Sequence, residues 1–411
     1  MKYFYHFIGI IYSSLIKLAV FFSPKARMMQ RGRWRLWARL RQRIEPGTEY
    51  IWVHAASLGE FEQGRPLIER IKAEYPEERI LLTFFSPSGY EVRKNYDLAD
   101  VVCYLPGDSI NNARRFIRQV NPKMAIFIKY DFWPCFLLEL RRLRIRTYLV
   151  SATFRPSQLF FKWYGGIYKA LLKCFTKLYV QDEASKILLA KHGITEVEIT
   201  GDTRLDRVIS VSNNQKPRPL FEVFRNSTSN PIIVAGSTWP PDEEILLRYF
   251  NAHPEVKLIL APHEINKPHL LGIISHIKRP FVRLSEAQLD TIADQDCIII
   301  DSFGLLSSVY RFGNLAYIGG GFGKGIHNTP EAAVYGLPVL FGPRYHKFKE
   351  AIGLIESGGA FCINSLDEFT QKVNHLFSDA KSLNSSGKAS HDYIFRNAGA
   401  TERILADIFD S

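Results

Sequence analysis

The sequence predicts an α/β protein with two consecutive domains, each built on a parallel sheet covered by helices on both faces. The length of 411 residues suits two domains of ordinary size. Short apolar runs alternate with amphipathic segments, which is typical of repeated βα units. The stretch 210–231 is rich in Ser, Asn and Pro and separates two halves of this pattern. We therefore predict an N-terminal segment over 1–47, a first domain over 48–213 and a second domain over 214–411.

The charge of the chain indicates an anionic partner. The formal net charge is +12, from 53 basic and 41 acidic residues, and nucleic acid, acidic lipid or a phosphorylated substrate would complement it. Eight basic residues fall within one short segment: Lys25, Arg27, Arg31, Arg33, Arg35, Arg39, Arg41 and Arg43. The five cysteines are scattered, with no CxxC or Cys/His cluster. This pattern indicates neither a disulfide framework nor a zinc site, and a reducing cytoplasm fits it.

Residues 1–47 are interpreted as a membrane anchor followed by a basic amphipathic segment. Tyr3–Phe22 is apolar and aromatic; about 20 residues suffice to cross a bilayer, and Lys17 can snorkel. The basic run follows directly, so the rest of the chain should face the cytoplasm, and Trp34 and Trp37 suit the headgroup region. The alternative is an ordinary docking helix with a solvated basic face. A nucleic-acid-binding arm is disfavoured because apolar residues directly precede the basic run.

The first predicted strand leads to a candidate catalytic carboxylate. Tyr50–Ala55 is apolar, and the following helix begins with the residues from Ser57 to Glu60. This spacing is that of a capping box, in which the two side chains satisfy backbone N–H groups. Glu60 also stands where α/β folds place active sites, and the helix dipole favours the ionised form that a general base requires. The residues alone leave both interpretations open.

Polar residues also follow other predicted strands of the first domain. Ser86 and Ser88 come after the second strand, and Lys129 and Asp131 come after the fourth. Ligands of α/β sheets bind at the carboxyl ends of the strands. Asp131, which lies beside two aromatic residues, is either a substrate contact or a polar cap over core aromatics.

Predicted strands of the second domain end in polar or glycine-rich turns. Ser237 and Thr238 follow the strand over 232–235, and His263 follows a strand that ends at Ala261. His263 is either a phosphate contact or an incidental loop residue. These turns should lie at one edge of the second sheet.

The most informative stretch is a glycine cluster before a predicted helix over residues 328–335. Five glycines follow the strand over 315–318: Gly319, Gly320, Gly321, Gly323 and Gly325. Glycines let backbone N–H groups approach a phosphate, and a helix N-terminus adds partial positive charge. Lys324 would add a full charge, and Glu331 would accept hydrogen bonds from sugar hydroxyls. The spacing matches neither a Rossmann GxGxxG nor a P-loop motif, and a tight turn without a ligand is the alternative.

Two α/β sheets of similar length, with the loops of each facing one cleft, suggest the GT-B architecture of two Rossmann-like domains. Seven motifs also give the chain a family resemblance. They are WVHAASLGE (52–60), TFFSPSG (83–89), DFWP (131–134), GDTRLD (201–206), GSTW (236–239), DSFG (301–304) and GGGFGKGIHNTPEAAVYGLPVLFGP (319–343). With these motifs in this order, the chain resembles the 3-deoxy-D-manno-octulosonate (Kdo) transferases of lipopolysaccharide synthesis over nearly all its length.

The resemblance implies an inverting glycosyltransferase that moves Kdo from CMP-Kdo to a lipid A precursor at the cytoplasmic face of the inner membrane. It implies that Glu60 is the catalytic base, and Asp131 is assigned to the same catalytic group. The donor contacts are assigned to Ser237, Thr238, His263, Gly320, Gly321, Gly323, Lys324, Gly325, Asn328 and Glu331. The acceptor contacts are assigned to Ser57, Gly59, Ser86, Ser88 and Lys129. No cofactor and no metal are expected, since no DxD motif ends a strand in the second half.

Three positions depart from the family pattern. Lys129 occupies the first of two positions that are usually acidic, Pro262 precedes His263 where the family usually has Arg-His, and Trp239 stands where a histidine is often found. They concern acceptor contacts and part of the phosphate site rather than the fold.

Four other functions are weighed against this one. A GT-B transferase for another nucleotide sugar and another lipid has the same fold, and fold alone does not separate the two. A nucleotide-sugar epimerase would not need the apolar segment Tyr3–Phe22. A membrane-tethered scaffold would not depend on Glu60. A nucleic-acid binder would show steeply salt-dependent DNA binding, and no nucleic-acid partner is predicted.

Overall fold

Seven parallel strands form a sheet in the first half of the chain, in the order β3-β2-β1-β4-β5-β6-β7. The computed structural model describes residues 21–163 and 165–409. The strands are β1 (Tyr50–Ala55), β2 (Arg79–Phe84), β3 (Val101–Tyr104), β4 (Pro122–Ile128), β5 (Arg146–Ala152), β6 (Lys177–Val180) and β7 (Val197–Ile199). The central strands are buried on both faces, as their apolar sequences predict.

Helices connect these strands and cover the sheet. They are α1 (Pro24–Arg33), α2 (Leu36–Arg43), α3 (Leu58–Glu74), α4 (Pro87–Arg93), α5 (Ile110–Val120), α6 (Pro134–Arg142), α7 (Gly166–Leu172), α8 (Glu183–Lys191) and α9 (Thr203–Asn213). Successive residues of β1 serve opposite faces. Trp52 contacts Phe116 and Phe127 on one face at ring distances of 5.0 and 5.2 Å, whereas Ile51 and Val53 pack in the core on the other face.

A second parallel sheet follows, in the order β10-β11-β9-β8-β12-β13-β14. Its strands are β8 (Ile232–Thr238), β9 (Lys257–Pro262), β10 (Phe281–Arg283), β11 (Cys297–Ile299), β12 (Leu315–Ile318), β13 (Val339–Phe341) and β14 (Ala360–Cys362). Apart from the edge strand β10, its strands have the same relative order as the first six of the first sheet. This is the doubly wound order, in which ligands bind at the carboxyl ends of central strands.

The helices of the second half are mostly longer than the turns that connect them. They are α10 (Pro219–Asn226), α11 (Pro240–Ala252), α12 (Lys267–His276), α13 (Leu306–Val309), α14 (Pro330–Ala333), α15 (Lys349–Glu356), α16 (Leu366–Ser378) and α17 (Ala380–Asn397). The helix predicted over 328–335 is a single turn, α14, because Tyr335 N and Gly336 N donate to the carbonyl groups three residues before them, at 3.1 and 3.0 Å, instead of continuing the α-helix. The stretch 210–231 is not a plain linker, since it contains the end of α9 and all of α10.

The chain divides into two units, one formed by residues 1–207 with 398–411 and the other by residues 208–397. The boundary lies inside α9, slightly before the predicted one. The last helix, α18 (Ala400–Phe409), belongs to the first unit, although the sequence analysis assigned it to the second domain. The Asp206 carboxylate accepts hydrogen bonds from Gly399 N, Thr401 N and Thr401 Oγ1, each at 2.6 Å. The apolar face of α18 completes the core of the first unit.

The described part of the N-terminal segment docks on the first unit. Leu36 and Leu40 of α2 are buried, and the Arg33 guanidinium donates to Leu105 O at 3.1 Å. Trp34 between α1 and α2 is 66% exposed. The predicted anchor Tyr3–Phe22 lies almost wholly outside the described residues. Within 21–163 and 165–409, no helix is long and apolar enough to span a bilayer.

Candidate active site

Glu60 lies in the first turn of α3, directly after β1. Its side chain is half-buried, and the Ser57 hydroxyl donates a hydrogen bond to its carboxylate. Ser57 makes no side-chain hydrogen bond to a backbone N–H group of the helix. The capping box is therefore not formed, because the serine hydroxyl serves the carboxylate instead. A carboxylate held in this way at a helix N-terminus is suited to accept a proton.

Asp131 follows β4, and a buried histidine contacts its carboxylate. Its carboxylate contacts Nε2 of His54, a β1 residue with no exposed surface. The indole nitrogen of Trp133 lies 2.9 Å from the same nitrogen, and Nδ1 lies 2.7 Å from Thr83 Oγ1. The sequence analysis quoted His54 within a motif but assigned it no role. The available signal was a polar residue inside an otherwise apolar strand.

The acceptor residues assigned from sequence occupy the same edge of the first sheet. Ser86 begins α4 after β2, and its hydroxyl lies 3.0 Å from that of Ser88. Ser86 N donates to Ala56 O at 2.7 Å, which links the turns after β1 and β2. Since β2, β1 and β4 are neighbours in the sheet, these serines share an edge with Glu60 and Asp131. Gly59 is exposed in the first turn of α3.

Lys129 adopts a left-handed backbone conformation, with φ of +63°, which is uncommon for a residue with a side chain. Its charge acts on Asp202, a buried residue of the GDTRLD motif. Burial raises the pKa of Asp202. The charge of Arg204, the hydrogen bonds from Arg204 and the charge of Lys129 outweigh burial and hold this pKa below its ordinary value. Asp202 also accepts from Gln63 of α3 at 3.2 Å. The motif therefore connects the loop after β7 to the helix that carries Glu60.

In the second unit, the glycine loop 319–325 follows β12 and approaches other backbone closely. A Cβ on Gly319 would lie 2.3 Å from Ser237 O, and one on Gly321 would lie 2.5 Å from Gly342 N. The N–H groups of four of its glycines donate within the protein: Gly319, Gly320, Gly323 and Gly325. Those of Gly321, Phe322 and Lys324 have no hydrogen-bond partner among the described residues. The glycines thus serve close packing, whereas Phe322 and Lys324, which are more exposed, offer backbone N–H groups to a ligand.

Asp242, which the sequence analysis did not single out, organises this loop. Its carboxylate accepts from Tyr317 Oη at 2.7 Å, from Gly320 N at 2.8 Å and from Trp239 N at 2.9 Å. Burial raises its pKa, and these hydrogen bonds oppose that shift. The side chain is 1% exposed, so it acts as a structural anchor rather than as a ligand contact.

The residues assigned to the donor differ in how open they are. Ser237 is partly exposed with φ of +55°, whereas Thr238 is fully buried and donates to Glu243 at 2.9 Å. Asn328 Nδ2 donates to Glu331 at 2.7 Å, and Asn328 Oδ1 is buried without a hydrogen-bond partner among the described residues.

Two cations flank the glycine loop. Lys324 is exposed within it. The Arg344 guanidinium donates to Gly323 O, and its backbone N–H donates to Gly321 O at 3.0 Å. The sequence analysis missed Arg344, which comes three residues after the next strand ends. Together they favour an anionic ligand at the loop.

His263 and Trp239 meet His327 at this edge. The His263 ring stacks on Trp239 at 4.7 Å and on His327 at 4.5 Å between ring centres. These residues follow β9, β8 and β12, which are neighbours in the sheet. The structure therefore brings together the turns that the sequence analysis assigned to the donor.

Comparisons with known proteins identify the family. A family model described as 3-deoxy-D-manno-octulosonic-acid transferase (kdotransferase) matches residues 30–207. A 3-deoxy-D-manno-octulosonic acid transferase of Rickettsia felis is 30% identical over 348 residues, covering 81% of this chain and 72% of the relative. That of Haemophilus influenzae is 28% identical over 374 residues, covering 88% and 86%. This chain belongs to the Kdo transferase family.

The protein is therefore a glycosyltransferase, and the Kdo transferase family accounts for the motifs at both sheet edges. A UDP-GlcNAc 2-epimerase from Neisseria meningitidis matches with a TM-score of 0.62 at 14% identity, covering 89% of this chain and all of that one (100%). The epimerase from Methanocaldococcus jannaschii matches with a TM-score of 0.56 at 13% identity, covering 88% and 99%. At such low identity the likeness concerns the fold alone, which is GT-B-like.

Proposed function

We propose that this Kdo transferase moves Kdo from CMP-Kdo to a lipid A precursor with inversion, and that Glu60 is the general base. The observation that carries the proposal is the Glu60 carboxylate itself. It lies in the first turn of a helix at the carboxyl edge of the first sheet, held by Ser57 and left partly open. Membership of the family supplies the substrate class.

In this mechanism Glu60 removes the proton from a hydroxyl group of the acceptor. The acceptor oxygen then forms a bond to the anomeric carbon of Kdo, on the face opposite to the phosphate. The bond between that carbon and the phosphate oxygen breaks, and CMP leaves with the electron pair. A single displacement inverts the configuration and leaves the proton on Glu60, with no covalent intermediate.

Donor binding is assigned to the second unit. Free backbone N–H groups in the glycine loop and the charges of Lys324 and Arg344 suit a phosphate or the carboxylate of Kdo. Asn328 and Glu331 offer hydrogen-bonding groups for the sugar or the nucleoside. We propose that CMP-Kdo binds at this edge of the second sheet.

Acceptor binding and membrane association are assigned to the first unit and the segment before it. Arg41 of α2 and Arg114, Arg115 and Arg118 of α5 line one groove, whose positive charge suits acceptor phosphates or anionic headgroups. The exposed Trp34 suits an interface. We propose that the enzyme works at the cytoplasmic face of the inner membrane, with Tyr3–Phe22 as its anchor.

Product formation from freshly generated CMP-Kdo and a tetra-acylated lipid A precursor in detergent tests the proposal. Mass spectrometry should detect a product heavier by one or more Kdo units. Glu60→Gln should lower kcat by about 10²–10⁴-fold, because a general base contributes that much. Glu62→Gln is the matched control, since it removes a carboxylate from the same helix that pairs with Arg93. Normal turnover by Glu60→Gln would remove the assignment.

The alternative is transfer of another nucleotide sugar to another lipid, which Lys129 and Trp239 motivate as departures from the family pattern. Offering CMP-Kdo together with UDP- and GDP-sugars in the same assay separates the two. Products from a UDP- or GDP-sugar with none from CMP-Kdo would favour the alternative.

A further inference from the structure

Three aromatic rings form a compact group beside the glycine loop. Trp239 Nε1 lies 3.2 Å from His327 Nε2. His263 stacks on both rings at 25° to each, with centres 4.7 and 4.5 Å away. Because the edge-to-edge hydrogen bond holds Trp239 and His327 side by side, both lie on the same face of His263. The exposed His263 therefore covers the pair.

This arrangement determines where His327 carries its proton. An indole N–H donates and has no lone pair with which to accept. Nε2 of His327 must therefore accept, so a neutral ring carries its hydrogen on Nδ1. The Cδ2 edge packs on Gly320, where an added Cβ would lie 3.1 Å away. Nδ1, on the opposite edge, has no hydrogen-bond partner among the described residues.

The ring stays neutral at physiological pH. Burial and the nearby His263 lower the pKa of His327 to about 4. Proton uptake would place an N–H group at Nε2 against the indole N–H, so the Trp239 contact also opposes charging. Of the described titratable side chains, His263 is the one that acts on the His327 ring, while Lys324 and Arg344 supply positive charge along the same loop.

We infer that Trp239 is a positioning residue that fixes His327 as a neutral donor, with its Nδ1–H directed to an oxygen of the bound nucleotide's phosphate. The inference rests on the proposed donor site on the second unit. The Trp239 N–H group thereby acts on the nucleotide through His327 rather than by touching it.

The tautomer is tested without any ligand by NMR of the full-length enzyme labelled with ¹⁵N-histidine, with His327→Gln to assign the signals. We expect Nε2 of His327 to be unprotonated and Nδ1 protonated, without change between pH 8 and pH 5.5. Trp239→Phe keeps an aromatic ring and removes the N–H group. In that variant we expect the proton to move to Nε2 and the pKa to rise. A wild-type ring protonated at Nε2, or an unchanged spectrum in Trp239→Phe, would overturn the inference.

The role in binding is tested with CMP as the probe, by calorimetry at pH 8 and at pH 5.5. At pH 8, Trp239→Phe should bind CMP about fivefold to tenfold more weakly, the loss expected for one hydrogen bond to a charged group. At pH 5.5 the difference should shrink below about twofold, because a protonated His327 again carries hydrogen on Nδ1. The ratio of the two affinities at each pH cancels the titration of CMP.

Three controls separate the possible failures. His276→Asn removes an exposed histidine from the same unit and should leave the CMP profile unchanged. Thermal melting should show that Trp239→Phe remains folded. An equal loss of affinity at both pH values would indicate a merely structural role for Trp239 and contradict the inference. If wild-type enzyme does not bind CMP at all, the proposed donor site fails, whereas the NMR result still decides the tautomer.

Discussion

The two sheet edges are built on nearly the same strand order and carry opposite chemistry. The edge of the first sheet presents carboxylates, with Glu60 after β1 and Asp131 after β4. At the corresponding edge of the second sheet, the two acids at the start of α11 are withdrawn into the protein, since Asp242 is 1% exposed and Glu243 is 5% exposed. The exposed cations Lys324 and Arg344 lie at the glycine loop there.

The difference shows that a doubly wound sheet determines at which edge the functional residues lie, but not which residue types stand there. In the first sheet, a buried histidine and a serine hydroxyl hold acids at the surface. In the second, the buried Asp242 carboxylate accepts hydrogen bonds from Tyr317, Gly320 and Trp239. The bond from Gly320 joins the glycine loop to it. In the proposed mechanism, the first edge removes a proton and the second binds the anionic donor.

Replacing His54, which contacts the Asp131 carboxylate, should have the largest effect on turnover among the three changes described next. His54→Phe keeps an aromatic ring in the buried position but removes both nitrogens. We expect kcat to fall about 10–100-fold, because small displacements of catalytic groups are this costly. Steady-state kinetics with Asp131→Asn and the double variant measure the coupling. Fully additive losses would mean that His54 does not act through Asp131.

Adding a methyl group to the glycine loop at Gly321 should destabilise the second unit, because the added group clashes with neighbouring backbone. Gly321→Ala would place Cβ 2.5 Å from Gly342 N, and such overpacking costs about 1–3 kcal/mol. Gly323→Ala is the matched control, since its Cβ would lie 3.6 Å from the closest atom and its φ is not positive. Chemical denaturation and CMP binding measure both effects. Equal stability of the two variants would contradict the packing role assigned to Gly321.

The smallest expected effect concerns the basic groove of the first unit. Arg41→Gln with Arg118→Gln should weaken binding to anionic vesicles, because each basic residue near such a surface contributes about 1 kcal/mol. Co-sedimentation at low and high salt measures this, and binding to neutral vesicles should not change. Arg248→Gln with Lys388→Gln removes two charges from the second unit as a control. A loss only in that control would move the membrane-binding surface to the second unit.

Much of the fold was predictable from the sequence because buried parallel strands are continuous apolar runs. The strands β1 and β8 begin at the predicted residues, Tyr50 and Ile232. The C-terminal helix was misassigned because its sequence shows an apolar face but not which core that face covers. Asp206, which fixes the start of α18, is separated from it by almost the whole second unit.

The candidate site was only partly predictable, for a similar reason. Glu60 and the glycine cluster lie in local motifs that indicate their structural setting. Hydrogen bonds between distant segments leave no such trace, as with His54 to Asp131 and Trp239 to His327. The capping box was wrong because the same two residues can pair through their side chains instead of with the backbone. The helix predicted up to Tyr335 is shorter than expected because the residues before Gly336 form i→i+3 hydrogen bonds, which sequence spacing does not reveal.

The return of α18 to the first unit has a consequence for biosynthesis. Ile404, Leu405 and Ile408 are buried in that unit, yet they are translated after the whole second unit, residues 208–397. Domains generally fold as they emerge, starting from the N-terminus. Here the core of the first unit stays incomplete until the second unit has been translated. A stop codon after residue 397 should therefore yield a protein in which the first unit is misfolded, rather than the second unit, at whose end the chain is cut.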